Sequence, residues 1–562
     1  MNNPICTASH KQQGPVICSD AHGGAIITWW DTRTDAGDIY AQRIDSLGYI
    51  RWRTDGVAIC VAQNQQAYPR IIGDGQGGAI IVWDDQRTGT YSGNIYAQRI
   101  DGDGNVRWTA NGTLIHNPVS YTPAITSDGA GGAIIVWRDD RAGSVDVADI
   151  YAERIDSSGT SQWSPSTGVP ICASSDQQLN PIAVSDDSGG AIIAWTDTRP
   201  TGIPNVYAQR INSWGQVRWT TNGIPIAALS TTSTSPAMIP DGYSGVYIIW
   251  RDDRSPTYNS QIYGQHVNAR GVIQWVANGR PLTAESQNIT GYDLAPDVSG
   301  GFLISFEMYE SYSDMGIHAQ RINSSGNVLW DTSGISLCSS RWDRHNPKMI
   351  PDGSAGAIVT WYDDRDLDTT NYMPRYDIYA QRVDSAGLAQ WTVNGMPICT
   401  ASNGQLVPRI ISAKSGGAII AWQDNRVGDQ NNTIDDIYAQ RINVDGTITG
   451  IREIHREPGS FKLEQNYPNP FNPTTTLKYS LPTDSRIKLT IYTVLGQDVQ
   501  TLVDGVESAG YMSIEWNASG VASGIYFYRL YAKGVSAYGG EATSTSEPTK
   551  SFMEVKKMLL LK

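Results

Sequence analysis

One phrase is written eight times in this 562-residue chain, and no other feature restricts its folding as much. GGAIITWWDTR at residues 23–33 recurs as GGAIIVWDDQR at 77–87. It returns with small changes at 131–141, 189–199, 244–254, 355–365 and 416–426, and a worn copy, GGFLISFEMYE, occupies 300–310. The aligned aromatics are Trp29, Trp83, Trp137, Trp195, Trp250, Phe306, Trp361 and Trp422, spaced 54 to 61 residues apart. Repetition at that period excludes one conventional core and leaves a solenoid or a propeller.

Each copy carries a second phrase. DIYAQRIDSLGYIRW at 38–52 matches NIYAQRIDGDGNVRW at 94–108, and only the last copy ends without its Trp. A Pro stands eight residues before the GGAII phrase (Pro15, Pro69, Pro123, Pro181, Pro236, Pro347 and Pro408), with Tyr292 in its place in the sixth copy. In the second copy the expected strands are 69–73, 78–85, 95–101 and 105–110. They are rich in Val, Ile, Tyr and Trp and bounded by Gly/Asp turns. Ile80 and Val82 point to one face, Ile81 and Trp83 to the other, so the sheet must be covered on both sides. No segment shows a sustained helical period.

The fold class is therefore all-β, with residues 1–454 expected as an eight-bladed β-propeller of four-stranded blades. Two four-bladed rings or an open solenoid are the alternatives. The N-terminal NPICTAS at 3–9 nearly repeats MPICTAS at 396–402, a segment that bridges copies elsewhere. The N-terminus is expected to fill the slot between the last and first blades and so remove the free edges.

The W-x-D-x-R pattern places Trp29, Trp83, Trp137, Trp195, Trp250, Trp361 and Trp422 on one strand face with Asp31, Asp85, Asp139, Asp197, Asp252, Asp363 and Asp424. An aromatic, an acid and a guanidinium can hold a sugar. Seven repetitions favour architecture instead, a buried indole with an Asp–Arg fork tying down the strand end. The Arg of YAQR (Arg43, Arg99, Arg154, Arg210, Arg321, Arg382 and Arg441) is read the same way. Cys6, Cys60, Cys172, Cys338 and Cys399 share one repeat position and are expected to be small buried groups, too far apart to pair. Only Cys6 and Cys18 are local enough for a disulfide. Single scattered His residues and the absence of CxxC spacing give no metal set, and no cofactor is expected. A net charge of −14 argues against nucleic acid, and no run of 18 apolar residues gives a membrane-spanning segment.

Function on a repeated ring belongs where the copies differ, in the loops between second and third strands. The sixth copy replaces Trp, Asp and Arg with Phe306, Met308 and Glu310, and the seventh has the long loop DLDTTNYMPRY. Tyr309, Tyr312, Trp342, Tyr372 and Tyr376 are the candidate ligand-binding residues. No catalytic residue is assigned.

Composition breaks near residue 454. Residues 1–450 hold 3 of the Lys residues and 17 of the 18 Trp, whereas 451–562 hold 8 Lys and only Trp516. Residues 455–462 read as a linker and 463–562 as a separate domain, an Ig-like β-sandwich by its alternating apolar runs. That domain opens on LEQNYPNPFNP, carries WNASGVASGIYFYRL at 516–530 and ends on KKMLLLK. In Asn466, Tyr467, Pro468, Asn469, Pro470 and Phe471, and in Lys556, Lys557 and Lys562, it resembles the type A C-terminal sorting domain of the type IX secretion system. The resemblance implies export by the type IX machinery to the extracellular space or outer surface of a Gram-negative bacterium. It also implies a removable N-terminal export signal. The expected function is a non-catalytic propeller that binds a glycan or a protein, the ligand itself being unknown. A secreted carbohydrate-active hydrolase or lyase, or a self-assembling surface subunit, is the alternative.

Overall fold

Short apolar runs set between glycine turns give strands, and among the described residues there is no α-helix. The computed structural model describes the chain except residues 1, 35, 90–92, 118–119, 142–146, 200–201, 256–258, 286, 311–313, 339–342, 366–374, 414–415, 428–434, 450–451, 454–459, 483–484, 508–509, 535–550 and 562. It divides into two compact units, Met1–Arg452 and Glu453–Lys562.

In the first unit the second copy shows the plan. Gln66–Gly73, Ala79–Asp85, Asn94–Ile100 and Thr113–His116 form one antiparallel sheet in sequence order. The described residues of this unit contain eight antiparallel sheets, six of them four-stranded on this plan, one with five strands and one with six. Ile80, Ile81, Val82 and Trp83 are all fully buried, so both faces of the second strand are covered. The first strands pack on one another in copy order. The last of them, Gln405–Ser412, packs back on the first, Gln12–Ser19. The outer strand of the last sheet comes from the other end of the chain: Asn3–Cys6 lies antiparallel on Asp436–Ile442, with Asn3 opposite Ala439 and Pro4 opposite Tyr438. The N-terminus thus occupies an edge that would otherwise expose unpaired backbone.

The fourth strand is not where local propensity puts it. In the expected 105–110 segment the pairing is a single bridge, Val106 opposite Ile100, flanked by the Arg107 amide donating to the Arg99 carbonyl at 2.8 Å. Trp108 leaves the sheet, and its amide donates to the Gln98 side-chain oxygen at 2.9 Å instead of to a neighbouring strand. Gly112 (φ 94°) then turns the chain back across Trp83, where a Cβ would meet the indole at 2.5 Å. The ladder resumes at Thr113–His116. The P-I-C segment, expected as a bridge between blades, is therefore the outer strand. Cys6 and Cys18 are both free thiols.

The second unit has two antiparallel sheets. One is built from Lys462–Leu463, Thr474–Leu481 and Gly510–Asn517, the other from Asp498–Glu507, Ser485–Thr493, Gly524–Gly534 and Ser551–Leu560. Leu463, Leu477, Leu489, Trp516, Tyr528 and Leu560 belong to one buried core.

Candidate functional site

The repeated residues build a cluster that faces inward. Asp85, fully buried, accepts hydrogen bonds from Trp83 Nε1 at 2.8 Å and from Arg87 Nε and Nη2 at 2.8 and 2.6 Å. The Arg87 guanidinium lies 3.7 Å above the Tyr96 ring, which stacks on Trp83. Arg87 Nη2 also donates to the Asn111 carbonyl at 2.7 Å and to Cys60 Sγ, in the outer strand of the preceding copy, at 3.3 Å. Burial pushes the Cys60 thiol up to about 12, which keeps it protonated. The same Trp–Asp bond recurs at Trp29–Asp31, Trp137–Asp139, Trp195–Asp197, Trp250–Asp252, Trp361–Asp363 and Trp422–Asp424.

A second set joins the copies. The indole N–H of Trp163 donates to the Ser213 carbonyl of the following copy at 3.0 Å, and Arg154 reaches the same oxygen at 3.1 Å while its other nitrogens hold Asp128. Trp52 and Arg43 share the Gly102 carbonyl in the same way. The side chains of both repeated motifs are thus hydrogen-bonded within the fold. The sixth copy, which lacks the usual trio, has a hydrogen bond of its own there. His318 Nε2 lies 2.9 Å from Glu310 Oε1, and the imidazole stacks on Phe306 at 5.7 Å.

With the constant positions accounted for, the residue between Trp and Asp stands out. It reads Trp30, Asp84, Arg138, Thr196, Arg251, Glu307, Tyr362 and Gln423 around the eight copies. Where the fold fixes its neighbours on either side, it leaves this position free to differ. At the junction of the sixth and seventh copies these side chains meet. Tyr362 pairs with His345 across the strands, their rings 5.4 Å apart, and Tyr376 packs edge-on against Tyr362 at 5.0 Å. Glu307 Oε2 is 3.8 Å from His345 Nδ1 and accepts the Asn346 amide at 2.8 Å, while Oε1 accepts the Thr290 hydroxyl at 2.9 Å. Burial, then Glu307, pushes the Tyr362 phenol up to about 12, so it stays a hydrogen-bond donor. Burial and the neighbouring Asp343 carboxylate raise Asp364 above the ordinary carboxylate range. The result is a shelf of three rings with carboxylates around it.

Of the residues named from sequence, Tyr376 belongs to this shelf. Tyr309 ends the second strand of the sixth copy, opposite Met315, and is 45% exposed. Tyr312, Trp342 and Tyr372 lie outside the described residues. His345, Tyr362, Glu307, Asp343 and Asp364 were not singled out, although the variable place in W-x-D-x-R marked Glu307 and Tyr362.

In the second unit the two sequence signatures meet. Asn466 is buried, and its side-chain amide donates to the Pro468 carbonyl and to Thr475 Oγ1 at 3.1 and 2.9 Å. Asn469 receives the Leu559 amide at 2.9 Å, and Gln465 donates to the Lys557 carbonyl at 2.7 Å. Phe471 is buried against Trp516 at 5.6 Å, Lys556 pairs with Glu554 at 2.9 Å, and Tyr467 and Pro470 lie outside the core, Tyr467 80% exposed. Lys562 is outside the described residues. The opening phrase thus clasps the last strand.

Residues 465–537 match the secretion system C-terminal sorting domain. Such a domain implies that the chain is secreted or displayed at the cell surface. No curated protein matches the sequence. Among solved structures, puromycin hydrolase is 14% identical with a TM-score of 0.40, covering 75% of this chain and 58% of its own. The chain therefore spans little more than half of that enzyme. An ulvan lyase is 10% identical (TM-score 0.44, 69% of this chain and 96% of its own), and the Penicillium chrysogenum α-L-arabinanase is 12% identical (TM-score 0.33, 67% and 93%).

Proposed function

We propose that residues 1–454 are a closed eight-bladed β-propeller that binds a glycan on the shelf at its sixth and seventh blades. A linker, 455–462, joins it to an Ig-like sorting domain, 463–562, that delivers it through the type IX machinery to the outer surface of a Gram-negative cell. The observation that carries the binding reading is the His345–Tyr362–Tyr376 shelf beside Glu307. Ring faces cover the apolar side of a sugar, and carboxylates accept its hydroxyls. The shelf uses positions at which the other copies carry different residues, so folding does not account for it.

Binding of the full chain to a panel of polysaccharides tests this. Tyr362→Ala and Tyr376→Ala each should weaken the best ligand at least ~10-fold, the loss expected for one buried aromatic anchor. Unchanged affinity in two folded variants would refute the shelf as the site. Asp364, raised beside Asp343, supports a second reading as the acid of a hydrolase or lyase. Release of reducing ends or unsaturated products from the same panel would decide for that reading.

A further inference from the structure

The first strands line a cavity of about 490 Å³, within the usual ~300–1,000 Å³ of small-molecule sites. The residue after the repeated Pro holds the same register position on the first strand of each copy and reads Val16, Arg70, Ala124, Ile182, Ala237, Asp293, Lys348 and Arg409. Arg70 and Arg409 both line the cavity, on either side of the short Val16, and Ile17, Ile71 and Ile125 supply its apolar wall. Three cations and one acid share this position inside a ring whose sequence is otherwise strongly acidic.

The acid is already engaged. Asp293 lies 3.7 Å from Lys348 and accepts the Met349 amide at 2.9 Å. Among the described residues neither Arg70 nor Arg409 has a carboxylate at ion-pair distance. Each guanidinium only reaches back to the carbonyl of its own Pro, Pro69 at 3.2 Å and Pro408 at 3.1 Å. Enclosure by the ring lowers both below the usual guanidinium range, and Arg70 lowers Arg409 further, while Asp84 and Asp293 oppose the effect. Two like charges held in one cavity cost stability unless an opposite charge joins them, and guanidinium forks match the geometry of oxyanions. Arg70 is nevertheless exposed, so solvent and small solutes reach it.

We propose that this cavity binds an oxyanion, a carboxylate, sulfate or phosphate group, between Arg70 and Arg409. The site is separate from the aromatic shelf and does not depend on it.

Thermal melting and calorimetry of the full chain in sodium sulfate, against sodium chloride at equal ionic strength, test the proposal. Sulfate should raise the melting temperature saturably by several degrees beyond chloride. The Arg70→Gln, Arg409→Gln double variant should lose that difference. It should also melt at or above the parent temperature without sulfate, because the repulsion between the two guanidiniums is gone, which separates loss of the site from loss of the fold. Equal shifts in sulfate and chloride, or a sulfate shift that survives in the double variant, would overturn the proposal. Displacement of sulfate by glucuronate but not by glucose identifies an acidic sugar as the occupant, and phosphate competition without glucuronate competition identifies a free anion.

Discussion

Replacing Asp85 with Ala separates an architectural W-x-D-x-R from a binding one. The Asp85 carboxylate is fully buried and accepts hydrogen bonds from Trp83 Nε1 at 2.8 Å and from Arg87 N, Nε and Nη2 at 3.0, 2.8 and 2.6 Å, with a longer contact from the Cys60 thiol at 3.9 Å. Removal leaves the indole N–H without an acceptor, at ~1–3 kcal/mol. It also breaks a buried ion pair, at ~3–5 kcal/mol. Arg87 keeps the Asn111 carbonyl and the Tyr96 ring, and its side chain is 19% exposed, so the lower end of both ranges applies. The expected loss is ~4 kcal/mol. Asp85→Asn keeps the shape and an acceptor for the indole and should lose about half as much. Urea unfolding followed by Trp fluorescence reads the first unit almost alone, because 17 of the 18 Trp residues precede residue 451. A loss under ~1 kcal/mol for Asp85→Ala would refute the account, as would a folded Asp85→Asn that has lost ligand affinity. The exposed turn residue Asp103 is the control, with Asp103→Ala expected within ~0.5 kcal/mol of the parent.

Two more perturbations probe the joints of the ring. Burial, then Asp424 on the facing strand and the adjacent Asp435, pushes Asp436 up to about 7. Its unfolded value is ~3.9, so folding takes up a proton. Stability from this group is present below pH ~4, falls as pH rises toward ~7 and is level above that, a change on the order of 2–4 kcal/mol. Asp436→Asn should abolish that slope and be the more stable form at pH 8, as denaturant midpoints across pH will show. Trp163, 5% exposed, supports the Gly215 turn of the next copy, where a Cβ would approach the indole to 2.9 Å. Trp163→Ala should cost ~3–5 kcal/mol and open the Asn212–Gln216 turn of the next copy and its neighbours to hydrogen exchange. Protection unchanged across the joint would show that the indole is not what couples the copies.

The repeat made the plan of the first unit legible, and the reasons are local. Ile80, Ile81, Val82 and Trp83, apolar on successive positions, read as a strand buried on both faces, and the Gly77-Gly78 pair marks the turn before it. The NPICTAS echo was enough to send the N-terminus to the slot between the last and first copies, because a near-identical segment finds an equivalent slot. The fourth strand was misplaced for a physical reason that sequence does not display. Val106 and Trp108 have high strand propensity, but Trp108 gains more by leaving the ladder for the carbonyl of the next copy.

The candidate sites divide along the same line. Which residues are constant and which vary is a property of the eight written copies, and it already separates scaffold from surface: Trp83, Asp85 and Arg87 on one side, the place held by Glu307 and Tyr362 on the other. Proximity between copies is not written there. His345, Tyr362 and Tyr376 are distant in sequence from Glu307, and Arg70 is distant from Arg409. They come together because successive first strands pack side by side and the last returns to the first. The sequence by itself determined the strands, their repetition and the sorting tail, since these follow from short-range patterns of side chain and turn. Tertiary packing alone decided which variable residues face one another. It put three rings beside a carboxylate at one junction and two guanidiniums within a single cavity.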